Sequence, residues 1–228
     1  MRTVVFDIDG VLLDLHSVLE RRLRAEGYVD FSMSLVKTYD FNKTFVSQLK
    51  SYDLPLYLEQ LPPHMRETDY MGAPRQRIFE VLGDATVFEE AELSRESIRL
   101  IKLLMNKSKD VNVIFHSVSY SSDIEAVKNR RLTEAFKGYE GRYKYVHSDG
   151  KDGKGIIENA NFVVEDCIEN LRQYDNVPDC ERLLIMKPYN TRVYNPDHAE
   201  FFDMLNMELC GSTEKAIHRI FRMLNIDE

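Results

Sequence analysis

The chain contains no tryptophan and only three cysteines among 228 residues. Cys167, Cys180 and Cys210 are scattered and unpaired in spacing, with no CxxC. That excludes a disulfide framework and a cysteine-built zinc cluster, and leaves reduced thiols. Glycine (10) and proline (7) are sparse, so repetitive and low-complexity architectures are excluded as well. No apolar run is long enough to cross a bilayer, and no membrane partner is expected. The N-terminus runs straight into a strand-like segment without the apolar region of a signal peptide, so a cytoplasmic location is expected. Positive charge is also in deficit: 30 Lys and Arg stand against 38 Asp and Glu, a formal charge of −8. A broad nucleic-acid-binding face is therefore not expected, and neither is processing of DNA or RNA ends. A small anionic ligand is still compatible, because a bound cation and a few basic groups build a local anion site.

What is present is ordinary for a globular chain, with 43% hydrophobic and 30% charged residues. Thr3-Val4-Val5-Phe6-Asp7-Ile8 is a β-branched, apolar run that predicts a buried strand. Val111–Phe115, Tyr143–His147, Phe162–Val164 and Leu183–Met186 read the same way. Helical spacing lies between them, in Ile98, Ile101, Leu104 and Met105, and in Ile124, Val127, Leu132 and Phe136. The second of these opens on a capping-box pattern, Ser122 to Glu125. Alternation of this kind predicts an α/β fold: a doubly wound, Rossmann-like parallel sheet of about five strands. The segment 15–91 differs. It shows helical runs, no convincing buried strand, and many aromatics. It is expected to be a mainly helical insertion after the first strand, leaving 1–14 and 92–228 as the catalytic core.

The strongest chemical signal is Asp7-Ile8-Asp9-Gly10 at the end of the first strand. Carboxyl ends of strands are where doubly wound sheets bind ligands. Carboxylates at i and i+2 repel unless a cation or a proton sits between them. Either solution suits phosphoryl transfer, with one carboxylate attacking phosphorus and the other moving protons. Ser117 ends another strand and offers a hydroxyl to a phosphate oxygen. Lys151 and Lys154 share a glycine-rich turn, and either can neutralise phosphate charge. Glu165-Asp166 ends a further strand and adds oxygen ligands of the kind magnesium takes. His116 and His147 lie near strand ends and are read as structural. Arg75 and Arg77 are read as a solvated helix face.

In this order the four features resemble the motifs of the haloacid dehalogenase superfamily of phosphatases. The resemblance covers residues 1–14 and 92–190. It implies Asp7 as nucleophile and metal ligand, and Asp9 as general acid and base whose carbonyl also meets the metal. It implies Ser117 and Lys154 as phosphate-binding groups, with Lys154 preferred over Lys151 because it directly precedes the stretch leading to Phe162. It implies Mg2+ held by Asp7, Asp9, Asp166 and Glu165, the last through a bound water. Glu165 departs from the family, which usually has two aspartates there. It also implies that the insertion is a cap. Pro188-Tyr189-Asn190, and more loosely Tyr39-Asp40-Phe41, are similar to the 5'(3')-deoxyribonucleotidase family. That narrower resemblance implies a nucleoside monophosphate as the small phosphorylated substrate, with Phe31, Phe41 and Phe45 on the substrate side. A sugar phosphate is the rival substrate, and a non-catalytic phosphate-binding protein the rival function.

Overall fold

A computed structural model of the chain describes residues 1–29, 73, 75–119, 121–148, 154–187 and 207–227. In order it shows β1 (Arg2–Phe6), β2 (Leu13–Asp14), α1 (Leu15–Ala25), α2 (Arg75–Leu82) and α3 (Ala85–Glu90). There follow β3 (Glu92–Leu93), α4 (Arg95–Lys107), β4 (Val111–Val118), α5 (Ser122–Ala135) and β5 (Tyr143–Ser148). The chain continues through β6 (Phe162–Glu165), α6 (Ile168–Arg172), β7 (Glu181–Ile185), β8 (Glu208–Cys210) and α7 (Thr213–Met223).

The main sheet has the order β5-β4-β1-β6-β7-β8, and every pairing is parallel. The expected α/β class is therefore observed, with one strand more than the five anticipated. The added strand, β8, has three residues, too few for a hydrophobic run to announce it. Strand order reverses at β1. Chain order runs outward to β4 and β5 on one side, then returns to β6 on the other. The carboxyl end of β1 is thus the switch point where such sheets bind ligands.

Local chemistry explains the elements. Val4, Val5 and Phe6 of β1 are almost fully buried, as helices on both faces of a parallel sheet require. In α4 the buried residues Ser97, Leu100, Ile101, Leu104 and Met105 make one helical stripe, capped by Ser94. The cap of α5 is Ser121, whose Oγ accepts the Ile124 amide at 3.3 Å, one residue before the expected box. Phe136 closes that helix and packs with Phe115 and Tyr143 at ring separations of 4.8 and 5.5 Å.

The two ends of the segment 15–91 are joined. β2 and β3 pair antiparallel, Leu13 with Leu93 and Asp14 with Glu92. Between them, the described residues form helices. Their buried side chains, including Leu19, Leu23, Val87 and Phe88, share one hydrophobic cluster with the sheet. Arg131 of α5 donates to three carbonyls at the end of α3, those of Phe88, Glu89 and Ala91, at 2.5–2.7 Å.

Candidate active site

Asp7 is the first residue beyond β1. Its amide donates to the Val164 carbonyl at 2.9 Å, so the backbone ladder with β6 fixes where its side chain starts. Gly10 then turns the chain with a φ of 71°, a conformation that favours glycine. The turn is closed by the Gly10 amide on the Leu13 carbonyl at 3.0 Å. Asp7 and Asp9 are thereby held on one short arch at the switch point.

Lys154 meets this arch from the loop before β6. Its Nζ donates to Asp7 Oδ1 and to Glu165 Oε2, the latter at 2.5 Å. Glu165 Oε1 in turn accepts the amides of Asp166 and Cys167 at 3.2 and 3.3 Å. Asp7, Lys154, Glu165 and Asp166 are all buried. Lysine is thus wedged between carboxylates of two strands, and its competitor Lys151 lies outside the described residues.

The electrostatics of this cluster are lopsided. Burial, reinforced by the charge of Glu165, raises the Asp7 carboxyl well above its usual range despite Lys154. Burial pushes Glu165 up to about 7, with Lys154 opposing and Asp166 adding to the rise. Burial works to lower Lys154, but Asp7 and Glu165 outweigh it and hold the ammonium above its ordinary value. Asp7 and Glu165 therefore share one ammonium with a third buried carboxylate, Asp166, beside them, and more positive charge would settle the three. Ligand atoms of Asp7, Glu165 and Asp166 lie within 4.8 Å of one another. The donor set is all oxygen, which suits a hard divalent cation.

Ser117 sits within β4, fully buried. Its Oγ accepts from Lys128 Nζ at 3.0 Å. Lys128 was not singled out by the sequence, although one signal was available. Ile124, Lys128, Leu132 and Phe136 step by four along α5, so a lysine stands in the apolar stripe. Its Nζ also donates to Asp9 Oδ2, and to the Val118 carbonyl at 2.7 Å.

His116 has a supporting role that its position at a strand end did not disclose. Ser148 Oγ donates to the Lys154 carbonyl at 2.5 Å, so its proton is committed. His116 Nε2, 2.9 Å from Ser148 Oγ, must then be the donor of that pair. The relay braces the backbone of Lys154. Burial, with help from the charge of Lys154, lowers His116 to about 4. His147 Nε2 lies 3.6 Å from Glu125 Oε2. Arg77 is bonded to Glu26 and Glu80 at 2.6–2.8 Å, the solvated ion-pair face expected of it. The three cysteines are free thiols. No described helix is long and apolar enough to cross a membrane.

Phe31, Phe41 and Phe45, together with Tyr39-Asp40 and Pro188-Tyr189-Asn190, lie outside the described residues. A groove of 1080 Å³ runs beside the arch, past Gly10, Asp14, Lys187 and Glu214, but Asp7, Asp9 and Ser117 do not line it.

No family model matches the chain, and no curated protein matches it. Solved structures do resemble it in fold. An L-2-haloacid dehalogenase from Xanthobacter autotrophicus, with chloropropionic acid covalently bound, is 12% identical. That likeness covers 98% of this chain and 99% of the other at a TM-score of 0.49. A hydrolase from Pseudomonas syringae is 12% identical over 97% and 98% of the two chains, with a TM-score of 0.49. CbbY from Rhodobacter sphaeroides, in complex with phosphate, is 16% identical over 94% and 96%, with a TM-score of 0.45.

Proposed function

We propose that the chain is a Mg2+-dependent phosphomonoester hydrolase of the haloacid dehalogenase type, acting through an aspartyl phosphate on Asp7. The observation that carries this reading is the Asp7–Lys154–Glu165 bridge at the end of β1, with Asp166 beside it and Asp9 two residues on. A buried carboxylate held against a lysine is a nucleophile already aimed and partly neutralised. Lys154 and the hydroxyl of Ser117 are the groups offered to phosphoryl oxygens.

The steps follow from the residues. An Asp7 oxygen attacks phosphorus and the bond from phosphorus to the leaving oxygen breaks. Asp9 gives that oxygen a proton, so an alcohol departs. Asp9 then takes a proton from water, whose oxygen attacks the same phosphorus. The bond to Asp7 breaks, and inorganic phosphate leaves. Mg2+ held by Asp7, Asp166, the Asp9 carbonyl and, through water, Glu165 would offset phosphate charge throughout. Segment 15–91, rooted on the β2–β3 pair, is proposed as the cap over this site.

The substrate we propose is a nucleoside monophosphate, with Phe31, Phe41 and Phe45 toward the base. Support for this part is the sequence resemblance alone. A panel of nucleotides, sugar phosphates and other phosphoesters, assayed for phosphate release with and without Mg2+, tests it. Mg2+-dependent release, fastest on a nucleotide, is expected. Sugar phosphates hydrolysed far faster than every nucleotide would refute the nucleotidase part. No release from any compound would favour a binding protein on the same fold.

A further inference from the structure

We infer that Lys128 is a positioning residue for proton transfer, fixing Asp9 and Ser117 to each other through one ammonium. The inference rests on the proposed hydrolase reading and names a group that reading does not use.

Lys128 is 1% exposed. An ammonium has three donors and no acceptor. The structure supplies three acceptors: Asp9 Oδ2, Ser117 Oγ at 3.0 Å and the Val118 carbonyl at 2.7 Å. The ring of Phe88 covers the same nitrogen at 4.8 Å from its centroid. Every donor is therefore used, and none is left for a phosphoryl oxygen. Lys128 acts through Asp9 and Ser117 rather than on the substrate.

What it does to each follows from hydrogen-bond bookkeeping. Ser117 Oγ accepts from Lys128, so its own proton faces elsewhere. In this structure it makes only a long contact to the Val118 carbonyl, 3.3 Å. That proton is the one free to turn to a phosphoryl oxygen. Asp9 is bound through Oδ2, and among the described residues its buried Oδ1 has no hydrogen-bond partner. The one hydrogen bond that the described residues give this carboxyl comes from Lys128, so Lys128 sets its orientation. The side chain of Asp9 is 22% exposed and directly precedes the Gly10 turn. A purely structural lysine would be an expensive choice here, since an apolar residue in the α5 stripe would pack without burying charge.

The test compares leaving groups. Phosphate esters of alcohols need a proton at the leaving oxygen, whereas p-nitrophenyl phosphate needs little help. Lys128→Met should lower kcat/KM, which reports the steps up to transfer of the phosphoryl group to Asp7, about 10- to 100-fold on an alkyl phosphate, part of what general acid catalysis supplies. On p-nitrophenyl phosphate it should lower kcat/KM by less than about threefold. Asp9→Asn, run beside it, should show the same bias more strongly. Equal losses on both substrates in Lys128→Met, with Asp9→Asn still biased, would overturn the inference and leave the hydrolase reading standing. A wild-type protein that releases phosphate from neither substrate would sink both. If circular dichroism shows Lys128→Met unfolded, Lys128→Arg carries the comparison. It keeps the charge but spreads its donors over a plane. A loss biased to the alkyl ester supports the inference, and a uniform loss overturns it.

Discussion

Each ionisable side chain at the switch point is defined by what it touches. Asp7 and Glu165 are both raised by burial, yet they are spared isolation by one shared lysine. His116 shows the reverse arrangement, a buried base kept neutral by burial and by the charge of Lys154. Its depressed value, about 4, has a consequence for stability. Above pH ~6.5 the imidazole is neutral in both folded and unfolded chains and contributes nothing. As pH falls from there toward 4, the unfolded chain takes up a proton that the folded chain refuses, so stability declines. At pH 5 the loss from this one residue is about 2 kcal/mol. Urea unfolding of wild type and His116→Gln at pH 7.5 and pH 5 measures it. The variant should lose less stability across that interval than the wild type. Identical losses would show that His116 does not resist protonation.

At the scale of elements, the sheet places residues and the helices lock them. Asp7 directly follows β1, β4 carries Ser117 and β6 carries Glu165, and the parallel register of the strands brings the three to one edge. The loop before β6 delivers Lys154 to the same edge. Behind the site, α4 and α7 are tied by Glu214, whose Oε1 accepts from Ser94 Oγ and Ser97 Oγ at 2.7 and 2.6 Å. Burial works to raise Glu214, but these hydrogen bonds prevail and hold it down to about 2. For a depressed acid the stability gained is present above the unfolded value and is lost as pH falls through the folded one. Glu214→Gln should therefore destabilise the protein at pH 7 by about 1 kcal/mol after solvent screening. The cost should shrink between pH 4.5 and 2. Denaturant titrations at pH 7 and pH 3 check both statements, and a cost unchanged by pH would contradict the assignment.

For the whole molecule, what was legible in the sequence was whatever a short window encodes. Thr3–Ile8 and Phe162–Val164 read as strands because both faces of a parallel strand are apolar. Asp7, Asp9, Glu165 and Asp166 could be placed at a common edge because each pair stands at the carboxyl end of such a run. β8 was missed because three residues carry no period. Lys128 was missed because its meaning is a distance across the fold, 119 positions from Asp9, and a helical stripe hides one polar member. His116 was read as structural, and the relay through Ser148 to Lys154 gives that word a content no spacing could supply. The choice of Lys154 over Lys151 comes from family resemblance; Lys154 stands against Asp7, and Lys151 lies outside the described residues.

The central claim is that Asp7 becomes phosphorylated. Asp9→Asn should slow the water step and let that species accumulate, so it is the form to examine. Mix it with p-nitrophenyl phosphate, whose leaving group needs little acid help, and Mg2+, quench in acid, digest, and map the added mass by tandem mass spectrometry. The account expects one phosphoryl group on the peptide from residues 3–21, located at Asp7 and absent in Asp7→Asn. Turnover by the wild type with no phosphorylated peptide in either protein, or the phosphoryl group on another residue, would contradict it.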